Sequence, residues 1–275
     1  MRFIKLGLPL AIGAIMAVSC EKDGSETKQT YYRGVYVVNE GSFMANNGSI
    51  SFFDPEEGRI INGVFETANQ RPLGDVVQSI AVVQDTTGYI VVNGSGKLEI
   101  VSLRDFKART APVPVVYPRY FMQVDDNKGY LTAGSMEGSV YVLSLSERSV
   151  TDTIAVGKGP EGMIKTGNKV IIANSGGWDA DSTLTVIDAT TDQVTDQIAV
   201  PKIPIDMALD GAGKLWVYCK GLATYSWDPP YNLISQTDAV IVRINPADGN
   251  KEIELHVGLA GDFTATPPRL AISRS

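Results

Sequence analysis

Residues 160–200, PEGMIKTGNKVIIANSGGWDADSTLTVIDATTDQVTDQIAV, limit what this chain can fold into more than any other stretch. Three runs in it, Gly162–Lys165, Val170–Ala173 and Leu184–Asp188, are short, apolar and β-branched. A fourth, Val194–Val200, alternates, and Gly, Asn and Asp fill the gaps between runs. The pattern spells a four-stranded antiparallel meander. A sheet with two apolar faces cannot bury itself, so it needs a similar neighbour on each side. Radial stacking of such sheets is a β-propeller.

The unit repeats. Second-strand endings recur as IVVN at Asn93, LTA at Ala133, IIAN at Asn174 and VYC at Cys219, about every 40–45 residues, the length of one blade. A proline precedes the first strand of successive units at Pro118, Pro160, Pro204 and Pro268, in PRYF, PEGM, PIDM and PRLA. The last interval is long, and the excess falls in 221–238, GLATYSWDPPYNLISQTD, an insertion between the second and third strands of its blade.

These markers predict an all-β chain, a β-propeller of four-stranded antiparallel blades over 31–275 with no linker dividing it. Blade one opens at its second strand, GVYVVN (34–39), followed by ISFFD (50–54) and IINGVF (60–65), with no first strand before them. The closing segment, PPRLAISRS, looks like a first strand standing alone. Either Leu270–Ser273 closes the ring against blade one, giving five blades, or the chain is a shortened copy of a longer propeller. The Arg-Ser that follows, where a turn to a second strand would begin, favours the shortened copy.

Residues 1–19 carry a basic start (Arg2, Lys5) and the apolar run LGLPLAIGAIM, and Ala17-Val18-Ser19 ends them just before Cys20. The apolar run is too short for a membrane span. The pattern resembles a bacterial lipoprotein signal peptide, which implies cleavage before Cys20 and lipidation of its thiol. Cys219 is then left without a disulfide partner. Residues 20–30 read as a lipidated acidic tether through Glu21, Asp23 and Glu26. In gut Bacteroidetes lipoproteins a similar acidic patch accompanies export to the outer face of the outer membrane; a generic spacer is the other reading.

The net charge is −7 and becomes more negative once Arg2 and Lys5 leave with the signal. No basic block is present, so binding of nucleic acid or anionic lipid through the protein surface is not expected. Catalysis has little support either. The single histidine, His256, lies in the alternating run KEIELHV, suited to a surface or edge position. No GxSxG occurs, and Cys219 has no histidine nearby in sequence. A lactonase-type propeller would need Glu, Asn and Asp converging on the central channel. Glu40, Asn93, Asn174 and Asp206 are available, but their spacing does not demand it. Asp179-Ala180-Asp181 lacks the Gly and downstream Glu of a calcium loop. The expectation is a protein that is not an enzyme and carries no metal or cofactor.

In a meander blade the loops between second and third strands emerge on the same face as the connections between blades. That face collects the long loops 40–48, 94–97, 134–139, 175–182 and 220–238, together with Tyr117-Pro118-Arg119 and Pro160-Glu161. Its candidate ligand-binding residues are Phe43, Met44, Asn46, Tyr117, Arg119, Trp178, Asp179, Tyr225, Trp227 and Tyr231. Flat apolar rings with polar tips suit a bulky amphipathic small molecule. Any one of these aromatics serves equally well to pin its own loop. Asn39, Asn93 and Asn174 recur at one repeat position and read as bridges to loop backbone rather than ligand contacts.

The VVN, IAN and DATT elements with their meander spacing resemble YVTN-type (YncE-like) propellers. The opening YVVNEGSFMANNGSISFFDPEEG resembles the Bacteroidetes surface lipoproteins that include the cobalamin-binding BtuG group. The resemblance implies a seven-bladed propeller at the cell surface, lipid-anchored in the outer membrane. It would capture vitamin B12 or a related corrinoid as cargo and pass it to a TonB-dependent outer-membrane transporter. This chain is too short for seven such blades. Two other readings stay open: a propeller scaffold for a protein partner or another bulky ligand (a glycan or siderophore), and a metal-dependent lactonase-type hydrolase.

Overall fold

A computed structural model describes residues 30–134, 136–260 and 270–271. The expected signal peptide, the lipidation site Cys20 and the tether up to residue 29 lie outside these described residues. The fold is an all-β propeller of five antiparallel blades. Blade one is three-stranded (Val35–Asn39, Ser49–Asp54, Arg59–Ile61). Blade two runs Val77–Val83, Thr87–Val92, Lys97–Ser102 and the short Val113–Pro114. Blade three comprises Pro118–Gln123, Lys128–Ala133, Gly138–Ser144 and Ser149–Val156. Blade four comprises Pro160–Thr166, Lys169–Asn174, Thr183–Asp188 and Gln193–Ala199. Blade five comprises Pro204–Leu209, Leu215–Cys219, Asp238–Ile244 and Lys251–Leu259. Pro118, Pro160 and Pro204 each open an inner strand, as the repeat requires.

Blade four shows why the blades must stack. Successive side chains of a strand point to opposite faces. In Lys169–Asn174, Val170 and Ile172 join Tyr130 and Val142 of blade three. Ile171 and Ala173 join Leu215 and Val217 of blade five. All four are fully buried, and burying a side chain as large as Val or Ile contributes roughly 1.5–3 kcal/mol relative to exposing it. The core is therefore a series of apolar layers between neighbouring blades rather than one central mass. On the plain face, Asp residues close the turns: Asp188 Oδ1 accepts the N–H groups of Thr190 and Thr191, and Asp125 Oδ1 those of Asn127 and Lys128.

Lysines at one repeat position fasten blade three to blade four and blade four to blade five. Lys128 Nζ donates to the Ala189 carbonyl at 2.6 Å and to Asp192 Oδ1 at 2.7 Å, crossing from blade three to blade four. Lys169, the corresponding first residue of the blade-four second strand, donates to the Pro246 and Ala247 carbonyls of blade five.

One sequence expectation is modified, and two segments gain detail. The strand expected over 60–65 ends at Ile61. Gly63 takes a left-handed conformation (φ 58°), and a short helix, Val64–Asn69, follows and buries Val64 and Phe65. The left-handed step turns the chain back, so these two side chains fill the core from a helix instead of a strand. The insertion in blade five pairs with itself as a hairpin, Ala223–Tyr225 against Leu233–Gln236. At the far end, the Leu270 N–H donates to Asp206 Oδ2 at 2.7 Å, which sets this residue against the inner strand of blade five. Residues 272–273, on which the ring-closure reading depends, lie outside the described residues.

Candidate ligand-binding cavity

The inner strands of blades two, three and four each carry a register irregularity at their start, between Val77 and Ser79, Pro118 and Phe121, and Pro160 and Met163. A bulge re-aims the side chain it carries. In all three blades the residue so placed is the one after the strand opens: Gln78, Arg119 and Glu161. They meet in a row. Arg119 Nη1 donates to Gln78 Oε1 at 2.6 Å, while Nη2 reaches both carboxylate oxygens of Glu161 at 2.8 and 2.9 Å and Nε reaches Oε2 at 3.2 Å. The side chains of Arg119 and Glu161 are 29% and 14% exposed, so the pair is substantially shielded from water.

At this row lies a cavity of about 510 Å³. Phe43 from the blade-one loop, Tyr117 from the connection into blade three and Trp178 from the blade-four loop line it. Asn93 and the glycines Gly94, Gly134, Gly159 and Gly177 also line it, so part of its wall is bare backbone. Gly159 shows why: at φ 53° a Cβ would stand 1.9 Å from the Gly177 nitrogen, so the two loops approach as closely as they do only without a side chain. Tyr117 holds φ 47°, a conformation costly for a residue with a Cβ. Its ring meets Trp178 edge to face, centroids 5.5 Å apart.

Of the ten residues singled out from the sequence, Phe43, Tyr117, Arg119 and Trp178 come together on the cavity. Asp179 sits beside them, paired with Lys158 Nζ at 2.7 Å. The Lys158 hydrogen bond, with one from the Ala180 backbone, holds the Asp179 carboxyl below the usual carboxylate range. Met44 and Asn46 belong to the Phe43 loop. Both are exposed with left-handed backbone, and the Met44 N–H is fixed by Asp75 Oδ2. Tyr225, Trp227 and Tyr231 sit in the blade-five hairpin or its turn, exposed and away from the cavity wall. Trp227 is 95% exposed.

Gln78 and Glu161 were not singled out as site residues, although the register of PRYF and PEGM already sets Glu161 opposite Arg119. The asparagines are structural in a different way from the one expected. Asn39 donates to the hydroxyls of Ser49 and Ser51, and Asn174 to those of Thr183 and Thr185. Asn93 alone of the three reaches backbone, at the Pro118 carbonyl.

Elsewhere, His256 lies on the outermost strand of blade five, exposed and hydrogen-bonded to Asp238. Cys219 is a buried free thiol whose pKa burial pushes up to about 12. Among the described residues no three His, Cys, Asp or Glu side chains gather as a metal site. No helix among them is long and apolar enough to cross a membrane.

The family model described as "Domain of unknown function (DUF5074)" matches residues 33–249. The chain belongs to this family. No curated protein matches the sequence. Several solved structures share the fold of this DUF5074 member. Hydrazine synthase of Kuenenia stuttgartiensis is 18% identical, covers 68% of this chain and 53% of its own, and gives a TM-score of 0.54. Dihydro-heme d1 dehydrogenase NirN is 11% identical, with coverages of 77% and 44% and a TM-score of 0.55. A protein of unknown function from Bacteroides caccae is 11% identical, with coverages of 82% and 73% and a TM-score of 0.52. The chain thus spans about half the length of the first two. At such identities the likeness is one of fold, and fold does not carry function.

Proposed function

We propose that this DUF5074 propeller is a binding protein that captures a bulky amphipathic ligand on its loop-rich face, and that the ligand is a corrinoid. The cavity of about 510 Å³ between Phe43, Tyr117 and Trp178 carries the reading. Its volume is in the range of small-molecule sites, and its aromatic rings are exposed in the free protein, ready to be covered by a ligand. A corrin ring edged with amides offers apolar faces to the rings and hydrogen-bonding groups to Asn93 and the glycine backbone. The resemblance of residues 36–58 to cobalamin-binding lipoproteins points the same way. In the same proposal, Cys20 anchors the protein by lipid in the outer membrane, at the cell surface, and the cargo passes to a TonB-dependent transporter.

Titration of the purified protein with cyanocobalamin, followed by heat and by absorbance, tests the reading. Saturable one-to-one binding in the micromolar range or tighter is expected, and absence of any binding overturns it. A second reading, a scaffold for a protein partner, draws on the exposed aromatic hairpin carrying Trp227. Capture of a transporter by protein that binds no corrinoid would favour it.

A further inference from the structure

The ion pair at the cavity narrows the class of ligand, an inference that rests on the capture reading above. Among the described residues, Arg119 and Glu161 are the charged side chains lining the cavity, and each closes the other. A guanidinium presents five N–H donors in a planar fork. Here Nε and Nη2 are held by the Glu161 carboxylate and Nη1 by Gln78. Glu161 Oε1 also accepts from Ser175 Oγ at 3.4 Å.

A ligand carboxylate seeking Arg119 would have to displace Glu161, leaving a shielded carboxylate without its partner. One that stayed alongside would meet a like charge, and like-charge juxtaposition suppresses wrong partners. Lys158, outside the cavity lining, is paired with Asp179 through one contact and is about half exposed. What remains for a ligand among the described residues is neutral: the Asn93 amide beyond its one bond to the Pro118 carbonyl, and the peptide groups of the glycine wall other than the Gly134 and Gly177 N–H groups and the Gly159 carbonyl, which are already bonded. Such groups match a primary amide, which offers two N–H donors and a carbonyl acceptor.

We propose that the cavity selects an uncharged, amide-bearing ligand over its carboxylate counterpart. Glu161 is the specificity-determining residue, because it occupies Arg119, which among the described residues is the one cavity cation that would otherwise receive an anion.

Benzamide and benzoate, equal in shape and different in charge, are titrated into the wild-type protein, Glu161→Gln, and the double variant Arg119→Gln/Glu161→Gln, with binding read by ligand-observed NMR. Wild type should favour benzamide by about tenfold or more, and Glu161→Gln should gain about tenfold in benzoate affinity with benzamide nearly unchanged. The double variant replaces the ion pair with neutral groups of similar size and should lose the benzoate gain. Equal binding of the two probes to wild type, binding of neither, or a benzoate affinity unmoved by Glu161→Gln would overturn the inference. If Glu161→Gln does not fold, Glu161→Ala is titrated in its place: a gain of about tenfold in benzoate affinity supports the inference and an unmoved benzoate affinity overturns it. A parallel titration with cyanocobalamin separates the two claims. Preference for benzamide without cyanocobalamin binding overturns the corrinoid reading and leaves the selectivity of the cavity standing.

Discussion

Tyr117 and Trp178 meet edge to face, ring centroids 5.5 Å apart at an interplanar angle of 69°, although one belongs to the connection into blade three and the other to the second loop of blade four. Such a contact stabilises by about 0.5–1.5 kcal/mol beyond area burial, enough to set the rings in place while leaving Trp178 73% exposed. Trp178→Ala should therefore weaken cyanocobalamin binding by about 2 kcal/mol, roughly thirtyfold. Because the ring is outside the core, the melting temperature should hardly move. Tyr117→Gly should behave alike, since loss of the ring contact is offset by relief of the strained φ of 47°. A calorimetric titration beside a thermal melt reads both effects, and a large fall in melting temperature without a change in affinity would reassign the pair to structure.

The hairpin of blade five makes a separate prediction. It stands away from the cavity wall, yet a corrinoid is large enough to overhang a cavity of about 510 Å³. Replacing 222–236 by a short Gly-Ser turn should abolish or greatly weaken cyanocobalamin binding, leave benzamide binding intact and preserve the melting temperature. Unchanged cyanocobalamin affinity would confine the site to the cavity, and a lowered melting temperature would show that the hairpin packs for stability.

The lysine fasteners should matter for stability and not for ligand. Lys128 joins a carbonyl and a carboxylate across the blade boundary with its side chain only 18% exposed. Lys128→Met keeps the apolar stem and removes the donor, so it should destabilise by about 1–3 kcal/mol, visible as a lower urea midpoint at constant slope. Lys169→Met, which removes bonds to two carbonyls and no carboxylate, should destabilise less. Equal effects would mean that the Asp192 contact contributes nothing.

Alkaline pH should unfold the protein. Burial raises the phenol pKa of Tyr31, Tyr36, Tyr89 and Tyr218, and at Tyr130 burial and the neighbouring Asp192 act together. A raised folded-state pKa means the unfolded chain gives up its phenol protons first. Stability from these groups is fully present below the unfolded tyrosine value of about 10 and is lost progressively above it. The buried Cys219 thiol, raised in the same way, begins the loss earlier, so the urea midpoint should hold up to about pH 8, decline from there and fall more steeply beyond about pH 10, and Tyr130→Phe should flatten the steeper part. A midpoint that rises through this range would contradict the assignment.

The sequence by itself determined the period, the strand type and the side of the propeller on which the long loops gather. Period-two runs such as KVIIAN, apolar on both faces, can be satisfied only between two like sheets, and the spacing of Pro118, Pro160 and Pro204 fixes where each sheet begins. From that register alone Phe43, Tyr117, Arg119 and Trp178 fall at one end, and there the structure brings them together. The tertiary structure decided what local pattern cannot encode. Val64 and Phe65 fill the core from a helix because a single left-handed glycine redirects the chain. The aromatic insertion pairs with itself and leaves Tyr225, Trp227 and Tyr231 exposed. Glu161 closes Arg119 because bulges at the starts of two neighbouring inner strands re-aim both side chains toward each other. The Arg119–Glu161 contact joins residues 42 apart in sequence, and its geometry is set by how the blades pack.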